Sequence, residues 1–207
     1  DQPRSRGLGD VYKRQAFAAE ASVLSIVHAQ GTTEVPKNPQ RVVILSPATL
    51  DIADALGINP MGVPQTSAHY PQHLAKYNGK AYLNAGTLFE PNFEALSNAR
   101  PDLILAGARA HDAYSKLSEI APTVSLDLDP KHFVQSLTER TEQLGKLFGK
   151  EEKARQVLAA FNAQIADVRK ESATAGSAMM LMINGGKISA HSPGSRFGFI
   201  YDVLGFK

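Results

Sequence analysis

Short apolar runs recur along this chain at intervals filled by helical patterns, and that alternation most restricts its fold. RVVIL (41–45), MGV (61–63), AYL (81–83), LILA (103–106) and TVSL (123–126) read as strands. Ser46 is positioned as an N-cap before Pro47 at a first helical position, and Gly57 closes that helix. Further helical patterns cover 71–77, 92–98 and 112–120. Strand and helix signals in this order predict an α/β unit with a mostly parallel sheet and helices on both faces. Ahead of it, SVLSIVHA and TTEV around Gly31 predict a β-hairpin.

Two longer helices follow. Asp129 and Pro130 open the first, with Phe133, Val134, Leu137, Leu144, Leu147 and Phe148 on one face. After Gly149 comes the second, with a stripe of Val157, Leu158, Phe161, Ile165 and Val168, and with Glu151 and Glu152 at the positive end of its dipole. If residues 151–172 are all helical, the rod is about 33 Å long at 1.5 Å per residue, enough to join two lobes. A stripe of this kind also suits a helix packed on its own domain, the reading preferred for the first of the pair. Beyond Ser177, AMMLMI, the turn Asn184-Gly185-Gly186 and KISA predict a second hairpin, followed by a short helix closed by Gly205. The 31 residues from Ser177 onward are too few to bury a separate core, since domains of fewer than about 40 residues usually need disulfides or metals. The chain is therefore expected to stop within a second lobe.

Composition narrows the function classes without choosing one. Hydrophobic residues make up 43% and charged residues 20% of 207, an ordinary globular balance. The net charge of +2 is spread along the chain, with no basic stripe for nucleic acid. No apolar run approaches the roughly 18 residues of a membrane span. The absence of cysteine excludes disulfides, thiol catalysis and Cys-ligated metals. His69 and His73 in HYPQH have metal-ligand spacing if helical, but Pro71 stands between them. No GxGxxG, Walker A or GxSxG motif occurs, and neither His132 nor His191 has a nucleophile beside it. At the N-terminus, AFAAEAS (16–22) is similar to the small-residue end of a signal peptide, yet the polar residues 1–15 supply no apolar leader. Residues 1–18 are expected to be foreign or a leader remnant and no part of the fold.

Two arginines stand out by their shared context. Arg109 ends the strand-to-turn segment PDLILAGAR, and Arg196 sits inside SPGSRFGFIYDVLG. In open α/β sheets ligands lie beyond the carboxyl ends of the strands, and guanidinium offers a rigid fork of donors to anionic oxygens. Each arginine taken alone also suits a surface or helix-capping role.

These same segments carry a resemblance. GTLFEPNFEALSNARPDLILAGARA (86–110), followed by YSKLSEIAPTVSLDLD, resembles the first lobe of periplasmic ferric-siderophore-binding proteins, the helix-linked substrate-binding subunits of ABC iron importers. NGGKISAHSPGSRFGFIYDVLGFK (184–207) is similar to the opening of their second lobe, especially in members that hold catecholate-type siderophores. The resemblance implies a Rossmann-like parallel-sheet lobe over 19–149, a linker helix over 150–175 and the beginning of a second α/β lobe over 176–207. It also implies a monomeric periplasmic protein that binds a ferric siderophore between lobes, ligates no metal itself, uses no other cofactor and passes its cargo to an ABC permease.

Arg109 and Arg196 are then the ligand-binding pair. A ferric tris-catecholate has a net charge of about −3 and outward aromatic faces, and arginines can both hydrogen-bond its oxygens and stack on its rings. Ser46, Tyr70, Thr87 and Phe89 fall on loops at the same sheet end and are candidate lining residues. Glu94 in PNFEAL matches an acidic position that docks on permease arginines, with Glu90 the second candidate, although a glutamate there also complements a helix dipole. Two alternatives stay open: haem or cobalamin as the ligand, and an α/β enzyme for an anionic substrate, using His111 or Asp112 beside Arg109.

Overall fold

The computed structural model describes residues 23–65 and 69–207, so the segments 1–15 and 16–22 discussed above lie outside the described residues. A hairpin of β1 (Val23–His28) and β2 (Gly31–Pro36) comes first. The main sheet follows, with β3 (Val42–Ile44), β4 (Gly62–Val63), β5 (Leu83–Asn84), β6 (Leu103–Ala106) and β7 (Thr123–Ser125) in the spatial order β5-β4-β3-β6-β7, every pair parallel. From β3 the chain steps outward through β4 to β5, then returns to the other side of β3 for β6 and β7. The direction of winding therefore reverses between β3 and β6, and a reversal of that kind opens a crevice at the carboxyl ends of the strands.

Both faces of this sheet are buried, which explains why its strands are continuous apolar runs rather than alternating ones. Successive side chains point to opposite faces. Val42, Ile44, Leu103, Leu105 and Val124 pack into one core with α1 (Pro47–Ala55), α4 (Phe133–Leu147), α5 (Glu151–Ser172) and the hairpin residues Ile26 and Val35. Val43, Leu45, Ile104 and Ala106 enter the other core with Leu96 of α2 (Phe93–Ala99) and Leu117 of α3 (Tyr114–Ile120). Between α4 and α5 the approach is close: a Cβ on Gly145 would lie 2.8 Å from the Ala154 Cβ.

Several local expectations shift. The segment expected to be helical over 71–77 is a 3-10 turn, Gln72–Asn78, held by Tyr77, whose buried hydroxyl donates to Asp54 Oδ1 at 2.7 Å. The pattern 112–120 divides into a 3-10 turn, Ala108–Ala113, and α3. α4 starts at Phe133 rather than at Asp129-Pro130, because the Asp129 carboxylate folds the entry into a turn by accepting from the Lys131 N–H (2.8 Å) and pairing with His132 Nδ1 (2.8 Å).

α5 is buried at its two ends and solvated between them. Ala154 and Leu158 pack on the main sheet's helices, no residue from Ala159 to Glu171 is buried, and Ser172 is buried at the far end, where its Oγ donates to the Leu204 carbonyl at 2.7 Å. Around that far end are β8 (Met180–Asn184), β9 (Lys187–His191) and α6 (Phe199–Asp202). The β8–β9 hairpin leaves Ile183 71% and Ile188 69% exposed. Phe199 of α6 reaches back to Phe133 of α4, ring centroids 5.7 Å apart, and brings the C-terminal segment over the carboxyl edge of the main sheet.

Candidate functional site: a cleft at the sheet's reversal point

The carboxyl ends of β3 and β6 lead into Ser46 and Gly107, and there the backbones come very close. A Cβ on Gly107 would lie 2.8 Å from the Ser46 Cβ, so only glycine fits without displacement. Ser46 is half-buried and caps α1, its Oγ accepting from the Thr49 N–H at 3.4 Å. From this junction opens a cavity of about 520 Å³, lined by Leu45–Ala48, Phe89, Gly107–Arg109, Leu126–Leu128 and Arg196. That volume lies within the range of small-molecule sites.

Arg109 follows Gly107 in the 3-10 turn after β6, with its guanidinium carbon 5.9 Å from the centroid of the Phe89 ring. Phe89 is 67% exposed, a large aromatic left open at the cavity mouth. Its loop is shaped by Gly86, at φ +100°, where a Cβ would meet the Glu90 carbonyl at 2.3 Å, and by the Thr87 Oγ, which accepts from the N–H groups of Phe89 (3.3 Å) and Glu90 (3.0 Å).

Arg196 arrives from the other segment. Its turn is fixed by Asp202 of α6, whose Oδ2 accepts from the Gly194 N–H at 2.8 Å, and by Gly198, where a Cβ would lie 2.8 Å from the Ser192 carbonyl. The guanidinium carbon is 5.3 Å from the Phe197 ring centroid, and Phe197 in turn packs on His191. Among the described residues the ion pairs are His73–Asp51, Lys76–Asp54, His132–Asp129, Arg155–Glu152 and Lys170–Asp167, so neither cavity arginine is neutralised by one. Two unneutralised guanidiniums, one beside an exposed aromatic ring, can hold a ligand with anionic oxygens and flat apolar faces.

Of the residues singled out from sequence, Ser46, Phe89, Arg109 and Arg196 meet in this cavity. Tyr70 and Thr87 are not among its lining residues. The Tyr70 hydroxyl donates to the Pro64 carbonyl at 2.8 Å, and burial pushes its pKa up to about 12. Thr87 is spent on its own turn. Glu94 is exposed in the first turn of α2, where Asn92 is the cap, and Glu90 is exposed in the preceding loop. Both stand at the sheet's carboxyl edge, outside the cavity lining. His111 is taken by a hydrogen bond with the Gln30 side chain, and neither it nor Asp112 lines the cavity. His73 pairs with Asp51 at 3.1 Å, and among the described residues no group of three or more His, Asp or Glu is arranged to hold a metal.

Sequence reasoning missed Gly107 and Asp127. The Asp127 carboxylate lies on the cavity wall, accepting from the Ala108 N–H through Oδ1 and from the Ser125 Oγ–H (3.1 Å) through Oδ2. The signal available for both was position: each follows a strand of the sheet by one or two residues.

Residues 42–207 match the model of a family described as periplasmic binding protein. The chain belongs to that family. The petrobactin-binding protein YclQ of Bacillus subtilis is 38% identical over 174 residues, which cover 84% of this chain and 55% of its own length. Its crystal structure superposes with a TM-score of 0.84 over 89% of this chain and 66% of that one. The ferric-anguibactin-binding protein FatB of Vibrio anguillarum is 32% identical, covering 95% of this chain and 62% of its own length. The periplasmic catecholate-siderophore binding protein VctP of Vibrio cholerae gives a TM-score of 0.81 at 34% identity, covering 89% of this chain and 67% of that one. The chain thus spans about 55–66% of the length of YclQ and FatB. The architecture seen here, an α/β lobe with a parallel sheet and a long helix leading away from it, is shared with the crystal structure of YclQ. All three relatives are named as binding proteins, and among the described residues no helix is long and apolar enough to cross a membrane.

Proposed function

We propose that this chain captures a ferric siderophore, of catecholate type, in the cleft between Arg109 and Arg196 and delivers it to an ABC importer. The observation that carries this reading is the convergence of those two arginines and the exposed Phe89 ring at the reversal point of the sheet. Guanidinium forks match catecholate oxygens, and Phe89 offers a face to the catechol rings. Iron stays within the siderophore and needs no protein ligand. The names of YclQ, FatB and VctP, each a siderophore binder, support the ligand class.

In this reading residues 19–149 form the first lobe, 150–175 the connecting helix and 176–207 part of a second lobe. The exposed apolar side chains of β8 and β9 and the greater length of the relatives support that division. Glu94, with Glu90 second, docks on the permease from the rim, and the protein works as a monomer in the periplasm.

The test is a fluorescence titration of the full-length protein with ferric complexes of a catecholate, a hydroxamate and citrate. The catecholate complex should bind most tightly. Arg109→Ala should weaken it about ten- to a hundredfold, or roughly 1.5–3 kcal/mol, with the melting temperature almost unchanged. Lysine at 109 should recover part of the loss, because a point charge lacks the planar fork. Equal affinity in wild type, Arg109→Ala and Arg196→Ala would remove the ligand from this cleft.

A further inference from the structure

The cleft holds a charge of the opposite sign. Asp127, two residues past the end of β7, lines the same cavity as Arg109 and Arg196. Its orientation is set by two bonds from neighbouring strand ends, the Ala108 N–H to Oδ1 and the Ser125 hydroxyl to Oδ2 at 3.1 Å. Each oxygen so engaged keeps room for a second donor. Arg140 does not neutralise it: its Nε donates to the Asp127 backbone carbonyl at 3.2 Å and its Nη1 to Gln143 Oε1 at 2.8 Å. No ion pair among the described residues involves Asp127.

We propose that Asp127 selects ferric complexes carrying a protonated amine beside their anionic oxygens, and disfavours those that are anionic throughout. The inference rests on the reading of the cleft as a siderophore site and narrows the ligand class. A fixed carboxylate a few ångströms from a bound complex repels added negative charge and attracts an ammonium group. Asp127 is half-buried, and a charge partly withdrawn from water acts more strongly than one fully in it. The arginines then hold the catecholate oxygens, and Asp127 takes the cationic tether.

Asp127→Asn separates charge from structure. Asparagine can accept from the Ala108 N–H through its carbonyl and meet Ser125 Oγ through its amide, so both bonds can persist without the charge. Two probes are compared on the full-length protein: a ferric tris-catecholate on an uncharged tether, and the same complex with one protonated secondary amine in the tether. Wild type should prefer the amine-bearing probe. In Asp127→Asn the ratio of the two dissociation constants should move about tenfold toward the uncharged-tether probe. Asp127→Glu, with the charge retained, should keep the wild-type direction of preference. A carboxylate that merely braces the strand ends would weaken both probes equally and leave the ratio unchanged, which overturns the proposal while the siderophore reading stands. A wild-type protein that binds neither probe overturns both.

Discussion

Replacing Gly107 by alanine should be costly for a purely steric reason. Gly107 has φ −150° and ψ 179°, extended backbone that any residue adopts, so no conformational strain is added. The new Cβ, however, would stand 2.8 Å from the Ser46 Cβ, 2.9 Å from its Oγ and 3.5 Å from Asp127 Oδ1. Ordinary carbon–carbon contact begins near 3.5 Å, so the gap between the two strand ends must widen by about 0.7 Å. Rotating the serine does not help, because a Cβ is placed by the backbone. The β3–α1 junction must move away from β6, against the Leu45 N–H bond to the Leu105 carbonyl at 2.8 Å. Overpacking of this kind costs about 1–3 kcal/mol. At about 2–4 °C per kcal/mol for a chain of this size, the melting temperature should fall by about 2–12 °C. Ser46→Gly removes both contacting atoms and by itself costs a few tenths of a kcal/mol at an N-cap. The double variant should therefore be more stable than Gly107→Ala alone, with a favourable coupling of about 1–2 kcal/mol. Thermal and urea unfolding of the four proteins, followed by circular dichroism, gives the cycle. Stability of Gly107→Ala equal to wild type, or a double variant that loses the sum of the two single effects, would refute the argument.

Reversing the charge at Glu94 should leave binding of the ferric complex intact while impairing uptake in cells that depend on this protein, because the residue is exposed on α2 away from the cavity lining. Loss of binding in solution would put Glu94 in the cleft instead; loss of the glutamate from the helix N-terminus should cost about 0.3–1 kcal/mol of stability. His28 should make the fold sensitive to acid. It is 7% exposed, its Nδ1 accepts from the N–H groups of Gln30 and Ser125 at 3.3 Å, and its Nε2 bonds Thr33 Oγ1 at 2.8 Å. Burial, and then the charge of Arg140, lower its pKa. The folded state therefore takes up its proton at lower pH than the unfolded chain, whose histidine titrates near 6.5; the stability it confers is complete above about pH 6.5 and declines as pH falls from there toward the lowered folded value. Melting temperatures measured from pH 7.5 to 5 should fall more steeply in wild type than in His28→Gln, and parallel curves would contradict this.

The strands that carry the site were legible because burial on both faces writes itself into composition. RVVIL and LILA have no polar residue between their apolar ones, and both became central strands. The edges differed: TVSL became β7 with its residues buried, whereas AYL was displaced to the more open Leu83–Asn84, where pairing on one side needs few apolar residues. The turn 72–78 could not be told from a helix, since its form depends on Tyr77 finding Asp54, 23 residues away.

The site divided along the same line. The type of chemistry was readable from residue order alone: arginines after strand ends, an aromatic and a capping serine on loops of one sheet edge, and no thiol anywhere. Chain order cannot say which loops become neighbours, because that depends on the order of strands in the sheet. Placing β6 beside β3 brought Gly107 against Ser46, and the contact of Phe199 with Phe133 accompanied Arg196 to the same opening, while Tyr70 and Thr87 went to local turns. Asp127 is the clearest case of a residue decided by tertiary structure. Asp129 was marked by the following Pro130 as a helix opener, but nothing in the chain order pairs Asp127 with Ala108, which reaches it from the turn after the neighbouring strand and sets it on the cleft wall. Pairing between strands far apart in sequence is what separates them.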